Sequence, residues 1–443
     1  MKSINLNLKK VISTYNLLNR QDVLEFIKNN PEKLSVDELS RIAELINNKR
    51  SDTAAYYTDP ETLNLISKHL PDIQKKVIRI FEPSAGIGNF IQILIDKYSS
   101  AERIIIDVND IDPVSIDLTK ALNKYRTIPE NVTINYNVQD FFSINNRMHY
   151  DLVIGNPPFL KLTKKSGLDI LRDKYNDRVT TNSSGFFLQQ ATLIGTHIVM
   201  IMSKYFLSNS DFQETRNRVK NYAINKILDF GENGFKGVLI ETVALFINTK
   251  EQRNSTFTFS VTKKLNNWIP QEVLTSDEYP AWLLYRNRFF DEIASHMEFG
   301  AFRVFRDRQI TNSVIKNTGD IKVIKSRNIK RDGSGLIDIL GYDGFIDKSE
   351  VEKYTVSQYL DRDDVFLSPN MTYYPRVITK PKNTIVNGSV AVLEKITTSK
   401  VNEKHLKFLS SKQFETFYRI ARNYSTRSLN IDKSSVYFFG LYD

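Results

Sequence analysis

Four short apolar runs, Ile78–Phe81, Arg103–Val108, Val132–Asn137 and Asp151–Gly155, each stop at a turn carrying glycine, an acid or an asparagine, and helical segments lie between them. This alternation constrains the fold more than any other feature. A strand followed by a helix and another strand gives parallel pairing, with helices covering both faces of the sheet. The pattern continues through a helix at Phe186–Ile194 and strands at His197–Ser203, Asn225–Phe230 and Val243–Asn248. Residues 51–250 are therefore expected to form an α/β domain with a mostly parallel sheet. In an open sheet of that kind the ends of the strands share one edge, and ligands sit there.

What stands at those ends is chemically specific. The first run leads into Glu82-Pro83-Ser84-Ala85-Gly86-Ile87-Gly88, where Gly86 and Gly88 allow a tight bend and close approach to a ligand. The second ends at Asp110-Ile111-Asp112, an acid placed to accept from ribose hydroxyls. The third ends near Asp140-Phe141, where Asp140 suits a helix N-cap as well as a ligand contact. The fourth runs straight into Asn156-Pro157-Pro158-Phe159. A residue before proline is held out of the helical region, so this turn is stiff. The Asn156 side-chain carbonyl and the Pro157 main-chain carbonyl are two acceptors for the two hydrogens of an exocyclic amine. Phe159 offers a flat face to the ring that bears the amine. Drawing both hydrogens out of the ring plane localises the nitrogen lone pair toward an electrophile. An ordinary two-proline turn is the plain alternative, and a simple strand–helix turn is the alternative for the glycines.

This ordered set resembles the S-adenosylmethionine-dependent DNA adenine-N6 methyltransferases of the gamma arrangement, in which cofactor motifs precede the catalytic tetrapeptide and a target-recognition domain follows. The likeness covers about residues 50–250. It implies a Rossmann-like methyltransferase domain with a C-terminal mixed α+β recognition domain, S-adenosyl-L-methionine as cofactor and double-stranded DNA as partner. It also implies the role of protective methylase in a restriction-modification system whose cognate endonuclease acts separately. By position, Tyr57, Thr58 and Pro60 in TAAYYTDP match the segment that folds over the methionine end of the cofactor. Glu82, Ala85, Gly86 and Gly88 match the glycine turn, Asp110 the ribose acid and Ile111 the residue packed on the cofactor's adenine. Asp140, with Phe141 beside it, matches the acid that reads that adenine's amino group. Asn156, Pro157 and Phe159 match the catalytic tetrapeptide, and Phe235 a later aromatic that stacks on the target base with Phe159. Asp110 departs from the commoner Glu, which shortens the reach and keeps the acceptor.

Charge points the same way. Of 61 Lys and Arg and 51 Asp and Glu, 24 and 16 lie in residues 301–443, a net of +8 there against +10 for the whole chain. A solvated basic surface is the plain reading, and nucleic-acid phosphate fits better beside an amine-binding site. Lys325, Arg327, Lys330 and Arg331, in a run read as a strand with basic residues on one face, and Arg376 beside Tyr373-Tyr374 are the candidate DNA contacts. The polar stretch 248–256 sets the expected boundaries: a helical segment 1–50, a catalytic domain 51–250 and a DNA target-recognition domain 251–443. In that last domain helices are expected around 277–299 and 403–424.

Composition narrows the classes further. There is no cysteine, which excludes disulfides, thiolate zinc sites and a cysteine nucleophile. The five histidines lack metal-ligand spacing, so no metal is expected. No run is apolar enough to span a membrane and the N-terminus has no secretory h-region, so no membrane partner and a cytoplasmic location are expected. Asp320-Ile321-Lys322 has a nuclease-like spacing without a partnered acid. Methyl transfer to cytosine N4, RNA guanine N2 or a protein glutamine amide uses a similar tetrapeptide, and a non-catalytic nucleic-acid-binding module is the reading outside enzymes. The late basic region and TAAYYTDP favour DNA over RNA and protein, and cytosine N4, which presents a similar amine, stays open beside adenine.

Overall fold

The computed structural model describes residues 2–46, 60–234, 240–425 and 429–443. The chain divides into two compact units, 1–273 and 274–443. The first is built on a nine-stranded sheet: β1 (Val77–Glu82), β2 (Arg103–Asp110), β3 (Val132–Val138), β4 (Tyr150–Gly155), β5 (Gly195–Ser203), β6 (Ala223–Gly231), β7 (Thr242–Asn248), β8 (Ser255–Ser260) and β9 (Leu265–Pro270). Their order is β3-β2-β1-β4-β5-β7-β6-β8-β9. β7 runs antiparallel to β5 and β6, β9 runs antiparallel to β8, and the remaining pairs are parallel. The mostly parallel α/β sheet read from the sequence is present.

The strand order puts a topological switch at β1. The chain steps outward through β2 and β3, then returns to the other side of β1 as β4, with Ile80 opposite Leu152 and Phe81 opposite Val153. At such a switch the following connections leave in opposite directions and open a crevice at the strand ends. Alternation along each strand sorts its two faces. Ile78, Ile80, Ile104, Ile106, Val108, Leu152 and Ile154 pack with Ile91, Leu94 and Ile95 of the helix Ile91–Tyr98. Phe81, one residue out of phase, faces the other way, 4.9 Å from the Tyr150 ring and 5.7 Å from that of Phe141. β4 and β7 are buried at every position, as central strands covered on both faces must be.

The N-terminal helices Lys2–Thr14, Arg20–Asn29 and Val36–Leu45 belong to this unit. Capping boxes start two of them, Asn19 with Asp22 and Ser35 with Glu38. Leu24, Ile27, Leu39 and Ile42 bury against Leu118, Ala121 and Leu122 of the helix Pro113–Asn123. Arg20 is ion-paired with Asp112, which caps that same helix. This segment thus braces the end of β2.

Two expectations about the chain's division change. The polar stretch at 248–256 is a connection within the sheet, because β8 pairs with β6, and the units part at 273/274. Phe257 and Phe259 alternate with Thr256 and Thr258 on this ordinary sheet strand.

In the second unit β10 (Met297–Glu298) pairs with β18 (Leu441–Tyr442), and a four-stranded antiparallel sheet holds β11 (Phe302–Arg306), β17 (Val390–Lys395), β14 (Val365–Pro369) and β15 (Ile378–Thr379). A three-stranded sheet joins β13 (Gly344–Ile346), β12 (Ile321–Ile324) and β16 (Thr384–Val386). The mixed α+β character is as expected. The helix expected over 277–299 shrinks to Arg288–Ala294, because Asn287 caps it by accepting from the Phe290 amide. The one expected over 403–424 is two helices, Glu403–Leu409 and Lys412–Ala421, parted where Ser411 caps the second. Among the described residues, no helix is long and apolar enough to cross a membrane.

Candidate functional site

The glycine turn is held by what it touches. Gly86 and Gly88 have φ of 60° and 71°, a conformation that costs little only without a Cβ. A Cβ on Gly88 would lie 2.6 Å from Ile91 Cδ1 and 2.7 Å from Thr119 Cγ2. The Gly86 amide donates to Asp110 Oδ2 at 2.9 Å, and the Asp112 amide donates to Asp110 Oδ1 at 3.0 Å. Asn109, buried at the end of β2, donates to the Pro83 and Gln139 carbonyls, so one side chain laces the ends of β1, β2 and β3.

Two acids lie under this turn in an apolar setting. Glu82 is 1% exposed and its Oε2 has no hydrogen-bond partner. Burial pushes its pKa up to about 8, Arg126 opposes that rise and Asp110 adds to it. Burial also raises the pKa of Asp110, against the amides of Asp112 and Gly86 that favour its charge. Just beyond, Ile111 is 69% exposed, an apolar side chain left open at the sheet edge.

The tetrapeptide sits next door. Ser84 Oγ donates to the Asn156 carbonyl at 3.2 Å, which ties the glycine turn to the Asn-Pro-Pro-Phe turn across the switch point. A Cβ on Gly155 would meet Pro83 Cδ and Cγ at 3.2 Å, so this glycine sets how closely the two turns approach. Asn156 is half-buried and Pro157 buried. Ser183, in the first turn of the helix Ser183–Ile194, donates to the Pro158 carbonyl and accepts from the Leu160 amide at 3.1 Å. Asn182 donates to the Phe159 carbonyl at 3.3 Å. The Phe159 ring is half-buried against the sheet core. The strand end and the helix start thus grip the turn from both sides.

Other candidate residues are placed differently. Asp140 caps a short 3-10 turn by accepting from the Phe142 amide at 3.0 Å and is otherwise exposed. Phe141 is a core residue, 2% exposed and 5.0 Å from the Phe187 ring, with no face open to a ligand. Pro60 is exposed at the start of the helix Pro60–His69. Tyr57, Thr58 and Phe235 lie outside the described residues. Sequence reading passed over Ser84, Asn109, Gly155 and Ser183. Only their position beside the two motifs could have marked them.

In the second unit the basic residues are not one face of a strand. β12 ends at Ile324, and Lys325 begins a 3-10 turn. Lys325 Nζ and Arg327 Cζ lie 4.2 and 4.7 Å from the centre of the Tyr342 ring. Arg331 Cζ lies 4.0 Å from that of Tyr374, and Lys330 is exposed. Arg376 is a staple: its guanidinium donates to the Ile329, Tyr374 and Ser326 carbonyls and to Thr372 Oγ1, at 3.1 to 3.2 Å. Burial lowers its pKa, and Arg331 adds to that. Four of its five donors are spent within the chain. Lys322 is held by Asp338 and Asp343, and Asp320 accepts from the Lys348 amide, so the nuclease-like triplet is engaged structurally. Among the described residues, no three His, Asp or Glu side chains could hold a metal ion together.

Comparison with known proteins finds partial similarities. Residues 89–235 match the model of the Eco57I restriction-modification methylase family. The chain is 29% identical over 111 residues to the type II methyltransferase M.CvrRI of Paramecium bursaria Chlorella virus XZ-6E, covering 25% of this chain and 26% of that protein. It is 22% identical over 249 residues to M.VspI of Vibrio sp. (strain 343), covering 55% and 59%. The chain therefore spans about a quarter and somewhat over half of these relatives' lengths. Among solved structures, the type IIG restriction endonuclease BpuSI aligns at 15% identity and a TM-score of 0.49 over 92% of this chain and 61% of its own. The type IIL enzyme MmeI, solved in complex with DNA, aligns at 12% and 0.48 over 95% and 67%.

Proposed function

We propose that this chain, whose residues 89–235 match the model of the Eco57I restriction-modification methylase family, transfers a methyl group from S-adenosyl-L-methionine to adenine N6 in double-stranded DNA. The observation that carries this reading is the Ser84–Asn156 tie, which sets a glycine turn with a buried acid, Glu82, and a half-buried one, Asp110, against an amine-binding turn. The residues present fit the cofactor. Glu82 Oε2 is a buried oxygen without a partner, and Gly86 and Gly88 keep the turn clear of side chains. Asp110 would accept from ribose hydroxyls and Ile111 would cover the adenine ring. When bound, S-adenosylmethionine supplies an electrophilic methyl on a positively charged sulfur.

The protein's own work is on the nucleophile. An adenine cannot reach the strand ends from inside the stack, so it must be rotated out of the duplex. Phe159 receives the flat ring. The Asn156 side-chain carbonyl and the Pro157 carbonyl take the two amine hydrogens and turn the lone pair outward. No strong base is needed, because the amine becomes cationic on alkylation and loses its proton readily to water. Holding the amine in line accounts for much of the acceleration. The biological role that follows is protection of DNA from a separately acting restriction endonuclease.

The test is a map of modified bases in DNA from cells expressing the chain, with tritium transfer to DNA, RNA and protein in parallel. N6-methyladenine at one short sequence is the expected result. N4-methylcytosine, or label only in RNA or protein, would replace the substrate assignment. Asn156→Ala should keep cofactor affinity and lose about 100-fold or more in turnover. A wild-type rate would remove Asn156 from the chemistry.

A further inference from the structure

Leu340 is fully exposed on a turn that the rest of its loop holds rigid. The Tyr342 and Asp343 amides both donate to the Ile339 carbonyl at 3.0 Å. Gly341, directly after Leu340, has φ of 73° and open space around it. Asn328 is completely buried behind the turn. It donates to the Ile337 carbonyl at 3.0 Å and to Asp343 Oδ1 at 2.6 Å, and accepts from the Lys325 amide at 3.0 Å. Asp343 also accepts from the Ile339 amide and from Lys322. A single exposed leucine is unremarkable on a protein surface. One fixed on a scaffold of this kind is not explained by folding, since Leu340 buries nothing.

Its neighbours indicate what it meets. Ile337 is 45% exposed on the same loop. Two residues along, the Tyr342 ring carries Lys325 and Arg327 against it. Exposed Lys330 and the Arg331 on Tyr374 extend the positive charge. An apolar tip two residues from a tyrosine that carries two cations, with Asp338 and Asp343 of its own turn paired to Lys322, suits a polyanion with an apolar interior, which describes a DNA duplex: phosphates outside, stacked bases within. Leucine is among the side chains that wedge between base steps and unstack them. A tip already locked in place gives up little conformational freedom on insertion.

We propose that Leu340 is an intercalating wedge that enters the base stack of bound duplex DNA, with Lys325, Arg327, Lys330 and Arg331 holding the flanking phosphates. This rests on the reading of the chain as a DNA methyltransferase and adds a specific device to it.

The experiment uses the full chain and a 30-bp duplex carrying the mapped methylation site, with binding followed by fluorescence anisotropy over a range of salt. Leu340→Ala should bind about tenfold more weakly with the same salt slope, because no phosphate contact is lost. Leu340→Met should bind like the wild type. An abasic residue moved along the duplex should tighten wild-type binding at one position and leave Leu340→Ala unaffected, since a gap admits the wedge at lower cost. Wild-type affinity and abasic response in Leu340→Ala would overturn the proposal and leave the turn to a protein contact. A wild-type chain that methylates DNA while Leu340→Ala matches it sinks the wedge alone. One that neither binds nor methylates duplex DNA sinks the functional reading with it.

Discussion

Ser84 Oγ lies 3.2 Å from the Asn156 carbonyl, so the turn after β1 and the turn after β4 are joined by one hydroxyl across the place where the sheet changes direction. The bond fixes the main chain at the residue whose side chain is assigned to the amine. Ser84→Ala should therefore lower turnover about fivefold to tenfold and leave cofactor affinity unchanged, in keeping with one lost hydrogen bond of about 1 kcal/mol. Single-turnover methylation beside calorimetric cofactor titration reads both quantities. Equal loss in the two would place Ser84 with the cofactor.

Gly88 allows no side chain. Its φ of 71° and the 2.6 Å approach to Ile91 Cδ1 mean that Gly88→Ala meets backbone strain and overpacking together. Loss of about 2 to 3 kcal/mol is expected from the two. A fall in denaturant midpoint with weakened cofactor binding is the expected result, and an unchanged midpoint would contradict it.

Glu82 makes stability depend on pH in an unusual direction for a carboxyl. Its pKa rises from the model-compound 4.5 to about 8 on folding, so the folded state keeps a proton that the unfolded state has released. Its contribution is full below about 4.5, falls as pH rises, and is lost by about 8. Glu82→Gln should melt higher than wild type at pH 8.5 and similarly at pH 5. Melting curves across that window that run parallel for the two proteins would show that Glu82 is not protonated in the fold.

Arg376 and Lys330 are neighbours in sequence logic and opposites in structure. Arg376→Ala should destabilise the second unit by about 2 kcal/mol, through unsatisfied carbonyls that its guanidinium now serves. Lys330→Ala should leave the melting temperature alone and reduce the salt slope of DNA binding by about 1. Chemical denaturation and salt titration separate these effects. A lowered slope with unchanged stability for Arg376→Ala would return it to the DNA surface.

Much of the first unit is readable in one dimension because its signals are local. The apolar runs at Ile78, Arg103, Val132 and Asp151 declare strands, and the glycines, Asp110 and Asn156 stand where a parallel sheet must end them. Phe141 and Asp140 show the limit. Adjacent residues at a strand end look alike in sequence, yet one ring is buried against Phe187 while its neighbour caps a turn in solvent. Arg331 and Arg376 show it again: both are basic residues of the late segment read as DNA contacts, but one rides on a ring and the other is consumed by carbonyls.

The sequence by itself determined the type of sheet, the order of the motifs and the residue types at each strand end, because periodicity and turn residues act over a few positions. Tertiary structure alone decided which strands became neighbours, that β8 and β9 extend the first unit, and which polar side chains remain open to a ligand. Those outcomes depend on pairing between residues dozens of positions apart. A donor's availability is set by whichever carbonyl the fold brings beside it.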